Sequence, residues 1–193
     1  MISREKFESI KSEYGFWGSW AVWVDEGDTP KSHIGDLSIF NSDAVLELLS
    51  SEVVLVGLNI SRNDIDLPWA NFHSSKSKAQ EYKLRYALKG TPLWGAYMTD
   101  IIKDFDEIDS RKVMAYLKQN PSFERENIER FLDELRDIGS SKPAIVALGN
   151  ATYEILLRNI RDLELIKIKH FSTRIAKEKY RQEVINACAT IFK

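Results

Sequence analysis

Cysteine is almost missing from this chain. Cys188 is the single copy in 193 residues, which excludes an internal disulfide and any all-cysteine metal or iron–sulfur site. Histidine is scarce too: His33, His73 and His170 are the three copies, and no two stand at the i, i+4 spacing of a helical metal site. No apolar run approaches the roughly 18 residues that a membrane span needs. The first residues lack the charged-then-apolar layout of a signal peptide. The expectation is a cytoplasmic chain that stays off membranes and carries neither metal nor cofactor. No Gly-x-Ser-x-Gly elbow, Walker loop or Gly-x-Gly-x-x-Gly stretch occurs, which sets aside α/β-hydrolase and nucleotide-binding readings. A strong net charge is also lacking, and a balance of -2 gives no global pull toward nucleic acid.

What is present suits one globular domain spanning 1–193, with 44% apolar and 29% charged residues. Val53-Val54-Leu55-Val56 is a short apolar run stopped by the polar turn Gly57-Leu58-Asn59-Ile60-Ser61. Such a run reads as a fully buried strand of a parallel sheet. Ala144–Leu148 stops likewise at Gly149-Asn150, and Leu165–Ile168 runs out at Lys169-His170-Phe171-Ser172. A further strand is predicted over 94–102 and a short strand or cover segment over 17–24. Helical spacing predicts helices over 2–14, 42–49, 78–88, 110–117, 122–138, 151–159 and 174–191. Residues 25–36 and 62–73 read as loops. An N-terminal helix and cover segment (1–50) thus precede a core (51–193) in which strands alternate with helices. That alternation predicts a three-layer α/β/α sandwich around a mainly parallel sheet. In such sheets ligands bind beyond the carboxyl ends of the strands, where Asn59 and His170 fall.

Charge is unevenly spread. From His73 to Lys89, Lys76, Lys78, Lys83, Arg85 and Lys89 stand against Glu81 alone, and from Arg158 to Arg181 eight basic residues stand against three acids. Both stretches flank strand-end turns, so they form either one positive face or ordinary solvated helix surfaces.

Several short segments, in order, resemble the uracil-DNA glycosylase superfamily over roughly residues 50–185. Gly57-Leu58-Asn59-Ile60-Ser61 is similar to its strand-end motif Gly-x-Asn-Pro-Gly/Ser, with Ile60 in place of proline. Pro68-Trp69-Ala70-Asn71-Phe72 resembles the segment whose aromatic ring stacks on the extruded base. Tyr97–Lys103 is in register with a strand that in several branches ends in Thr-Asn and reads the base. Lys142–Tyr153 resembles the strand-Leu-Gly-helix that precedes the late His-Pro-Ser motif, to which His170-Phe171-Ser172 is similar. The resemblance implies a uracil-DNA glycosylase-like fold, nearer the Asn-type mismatch-specific and single-strand-selective branches. It further implies a DNA partner, a monomer, and base-excision repair by a monofunctional hydrolase with no covalent intermediate.

By that resemblance Asn59 and His170 are catalytic, Gly57, Leu58, Trp69, Phe72 and Asp100 bind the base, and Ser61, Ser172, Thr173, Arg174 and Lys177 contact DNA. The chemistry suits these residue types. Breaking an N-glycosidic bond leaves positive charge on the sugar and negative charge on the departing base. An Asn amide oxygen orients the attacking water more than it deprotonates it. A histidine N–H donated to the base carbonyl stabilises the charge gathering there, typically by about 3 kcal/mol. A flat aromatic face adds about 1–3 kcal/mol of stacking for a base that must leave the helix to react.

Each residue also has a plain structural reading. Asn59 serves as a turn residue, His170 as a strand-end hydrogen-bonding residue, Trp69 as core, and Ser172 or Thr173 as a helix cap. Ile60 and Phe171 replace prolines, and Asp100 stands where a uracil reader has Asn. An ionised Asp accepts hydrogen bonds only and repels a carbonyl oxygen. A catalytically inert nucleic-acid-binding protein that keeps the fold is therefore the alternative.

Overall fold

Alternation along one strand organises the molecule. In β2 (Ser50–Asn59), Val53 and Leu55 pack into one apolar cluster while Val54 and Val56 pack into another, because successive side chains leave a strand on opposite faces. The structure is a computed structural model and describes residues 2–24, 34–61, 65–76 and 78–192. The predicted loop at 25–36 thus falls largely outside the described residues, with His33, as do 62–64 of the second loop.

Among the described residues the elements follow as α1 (Arg4–Tyr14), β1 (Ser19–Trp20), two short 3-10 turns (Ser38–Asn41 and Asp43–Glu47), β2, α2 (Glu81–Leu88) and β3 (Ala96–Ile102). Then come α3 (Ser110–Gln119), α4 (Pro121–Asp137), β4 (Ala144–Leu148), α5 (Asn150–Asn159), β5 (Leu165–Ile168) and α6 (Lys177–Ile191). The sheet order is β1-β3-β2-β4-β5. Only β1 is antiparallel, pairing Ser19 with Met98; β2, β3, β4 and β5 run parallel. The chain is therefore an α/β protein with a five-stranded, mostly parallel sheet and helices on both faces.

One face carries α1, α3, α4 and α5, through Phe7, Val113, Phe131 and Ile155, against Val54, Val56 and Ile145. The other carries α2 and α6, through Leu84, Leu88, Tyr180 and Val184, against Val53, Leu55 and Val146. All seven residues of β3 and all five of β4 are buried, as expected of strands covered on both sides. Asp109 caps α3 by accepting from the Arg111 amide at 3.0 Å, and Pro121 opens α4, where its missing N–H costs nothing.

Several boundaries differ from the sequence reading, among them α2, which starts at Glu81 rather than 78. The segment 17–24 makes a ladder only at Ser19 and Trp20, and 42–49 winds as a 3-10 turn. The last helix starts at Lys177 rather than 174, with Ala176 at its N-cap and no side-chain cap. Residues 171–176 are held instead by turns, Thr173 N–H to His170 C=O at 2.9 Å and Ile175 N–H to Thr173 C=O at 2.8 Å. Ser172 and Thr173 are consequently not caps. No helix of the described residues is long and apolar enough to cross a membrane.

Candidate functional site

The chain leaves β2 for β3 on one side and later returns through β4 on the other. The gap between the carboxyl ends of β2 and β4 is thus a topological switch point, where parallel sheets open a crevice. A cleft of about 1130 Å³ lies at these strand ends. It gathers Asn59 from β2, Asp100 from β3, Asn150 from α5 and His170 from the turn after β5, with Phe72 from the loop before α2. Leu58, Ser61, Ser172 and Thr173 also line it.

Asn59 is fixed by the loop between β3 and α3. Its amide nitrogen donates to the carbonyls of Phe105 and Glu107, both at 2.8 Å. Two carbonyls demand two donors, which settles the orientation of the amide. The amide oxygen has no partner among the described residues, and the side chain lines the cleft. Asn59 is thus more than a turn residue: it is an acceptor held rigidly at a strand end.

His170 is oriented as strictly. The Ser172 backbone N–H donates to its Nδ1 at 3.2 Å, and the Ser172 hydroxyl lies 2.7 Å from the same atom. Nδ1 therefore accepts, and the ring proton resides on Nε2. Phe171 stacks on the ring with centroids 4.2 Å apart, and enclosure pushes the imidazole pKa down to about 4. The result is a neutral imidazole that donates from Nε2 at physiological pH. Gly149, at φ +98°, lets the chain turn into α5 beside His170, and a Cβ there would stand 3.4 Å from the histidine Cβ. The first turn of α5 therefore faces the cleft with the positive end of its dipole.

Asp100 is buried and its carboxylate sits over Gly57, where a Cβ would lie 2.1 Å from Oδ1 and 3.4 Å from the Phe72 ring. Its Oδ2 accepts from Asn71 at 2.9 Å, and the second Asn71 N–H goes to the Trp17 carbonyl at 2.7 Å. Burial raises the carboxyl pKa to about 6, opposed by the Asn71 hydrogen bond and by nearby Lys103. Phe72 holds a left-handed backbone at φ +63°, and its N–H donates to Asn71 Oδ1 at 3.1 Å. A bulky residue in that region is costly to hold, by about 1–3 kcal/mol.

Trp69 lies elsewhere. It is buried among Phe7, Phe40 and Trp20, with centroids 5.4–6.3 Å away, and its backbone carbonyl accepts from Ser19. It does not line the cleft, so the expected indole platform is corrected to core; the aromatic ring at the site is that of Phe72. The reason is local. Trp69 and Phe72 both take positive φ, and the tight turns between them send one ring into the N-terminal aromatic cluster and the other into the cleft. Arg174 stands outside the cleft, and Lys177 lies over the Tyr86 ring at 4.6 Å.

The basic stretches divide the same way. Lys83 is buried and donates to the Thr173 carbonyl at 3.0 Å, its pKa lowered by burial. Arg181 caps the carboxyl end of α2 through the carbonyls of Tyr86 and Lys89, and Arg158 pairs with Glu124. Lys76, Lys78, Lys167 and Lys169 line the cleft, with Lys169 paired to Glu183 at 2.8 Å and Lys167 over the Tyr153 ring at 5.1 Å. Sequence reasoning did not single out Asn71, Asn150, Lys167 or Lys169 as site residues. Asn71 was nevertheless visible inside the quoted Pro-Trp-Ala-Asn-Phe segment. Among the described residues no cluster of three His, Cys, Asp or Glu side chains is arranged to hold a metal. No protein-family model, curated protein or solved structure matches this chain.

Proposed function

We propose that this chain is a DNA glycosylase with a uracil-DNA glycosylase-like fold, hydrolysing the N-glycosidic bond of a flipped deaminated or damaged base. One observation carries the reading: Asn59 and His170 line a single cleft, one locked as an acceptor and the other as a neutral N–H donor. An acceptor orients water under the sugar carbon, and a donor stabilises charge on the leaving base. A neutral donor suits this role, because it need not surrender a proton to support the base anion. Phe72 offers a stacking face, and the lysines at the rim suit a phosphate backbone. Ser61, Ser172 and Thr173 at the same rim suit phosphate contacts.

The test is abasic-site formation on oligonucleotides carrying one modified base. The panel includes uracil, hypoxanthine, xanthine, 3-methyladenine and 3-methylcytosine. Wild type should convert at least one of them, and Asn59→Ala should convert none. Asp100 favours a second reading, since a carboxylate beside a developing base anion opposes catalysis. In that reading the protein binds nucleic acid without cutting it. Salt-dependent DNA binding with no cleavage across the panel selects it, and absence of DNA binding removes both.

A further inference from the structure

Besides the Asn59 amide oxygen, the cleft holds a second acceptor with no partner among the described residues. Asn71 spends both amide hydrogens on Trp17 and Asp100 and its oxygen on Phe72, so it aims the Asp100 carboxylate without reading a ligand itself. Asp100 Oδ2 is taken, while Oδ1 lies over the bare Cα of Gly57, beside the Phe72 ring. Among the described residues no donor reaches Oδ1. A Cβ on residue 57 would collide with Oδ1 itself, so the glycine gives the carboxylate its place in the cleft wall. A planar ligand stacked on Phe72 therefore meets an acceptor-only edge, and its matching group must be an N–H donor.

Resting on the reading above for the ligand as a nucleobase, we propose that Asp100 is a specificity-determining residue. Its Oδ1 accepts from the exocyclic amino group of the base, so the site takes amino-bearing bases over their carbonyl counterparts. Cytosine and uracil, or adenine and hypoxanthine, differ at that position by an amino group against a carbonyl oxygen. A carbonyl oxygen there faces a carboxylate with no proton between them, whereas an amino group closes a charge-assisted hydrogen bond. Such bonds are the stronger kind, and leaving this one unmade exposes a buried acceptor.

The test uses the free bases in matched pairs, with affinities from ligand-observed NMR or calorimetry at neutral pH. Wild type should bind cytosine over uracil, and adenine over hypoxanthine, by about tenfold or more. Asp100→Asn, which can still accept from Asn71, should shrink or reverse both ratios, its fold checked by thermal melting. The wild-type ratios stand as a test even where the variant is unstable. Equal affinities within the pairs, no binding of any of the four bases, or ratios unchanged in a folded Asp100→Asn overturn the proposal. The stated preference without abasic-site formation on any oligonucleotide upholds it and removes the glycosylase reading instead. Abasic sites formed at uracil as fast as at amino-bearing bases uphold that reading and overturn the proposal.

Discussion

Two buried carboxylates near the end of β3 have opposite fates. Glu134, on α4, is fully enclosed; it forms an ion pair with Lys103 at 2.7 Å and accepts from the Tyr97 hydroxyl at 2.7 Å. Lys103 also donates to the Asp100 carbonyl and to Thr99, so every charge in that region is answered by the protein itself. The Glu134 carboxylate raises the Tyr97 phenol pKa, together with burial as the larger cause. Asp100 has one side-chain donor, Asn71, and faces a cleft. The first region is sealed by its own partners; the second is left with capacity for a ligand. A buried carboxylate met on both oxygens, as in Glu134, has no acceptor left to offer, whereas Asp100 keeps one without a partner among the described residues.

The largest effect should come from breaking the sealed side. Lys103→Met leaves the Glu134 carboxylate unpaired and should cost about 3–5 kcal/mol in urea unfolding. Changing Glu134 to Leu in the same chain should recover much of that loss. An unchanged unfolding midpoint for the single variant would erase the contrast between the two carboxylates.

On the open side, His170→Ala should slow abasic-site formation by about 100- to 1000-fold, the loss of one preorganised donor, with the melting temperature little changed. A collapse in melting temperature at unaltered rate would make the residue structural.

Asp100 gives the contrast a pH signature. Its carboxyl is raised from 3.8 to about 6 in the fold, so between those values the folded state holds a proton that the unfolded chain has released. Stability from this group is full below about pH 4 and lost as pH rises through about 6, which lets Asp100→Asn gain up to about 3 kcal/mol on wild type above pH 6. Parallel stability curves from pH 4 to 7 would mean that the carboxyl titrates as if exposed.

Phe72→Ala should weaken base binding by about 1–3 kcal/mol while Trp69→Ala leaves the cleft's affinity alone and lowers stability, as calorimetry and thermal melting would separate. Smallest of all, Ser172→Ala should cost a few-fold in rate. The Ser172 backbone N–H still fixes the imidazole tautomer after the hydroxyl is gone.

Much of this was legible from residue order. The apolar runs at 53–56, 144–148 and 165–168 became parallel strands beside β3, and the turns after them became the cleft wall, because period and burial are written locally. The start of α6 was misplaced since capping residues favour a helix start without requiring one; here Ser172 serves His170 instead. Trp69 and Phe72 could not be told apart, because both are aromatic residues of one loop and nothing in that stretch says which backbone turn faces the sheet end.

The sequence by itself determined the alternation of strands and helices, the polar strand ends, and the identities of Asn59, Asp100 and His170. Tertiary structure alone decided which of them meet. The strand order places β2 between β3 and β4 and so converges residues 59, 100 and 170 on one crevice. Asn59 is locked by the loop after β3 and Asp100 by Asn71 before α2, whereas His170 is held locally by Ser172 two residues along. Hydrogen-bond satisfaction is settled by proximity in space, and a chain carries that information only once it is folded.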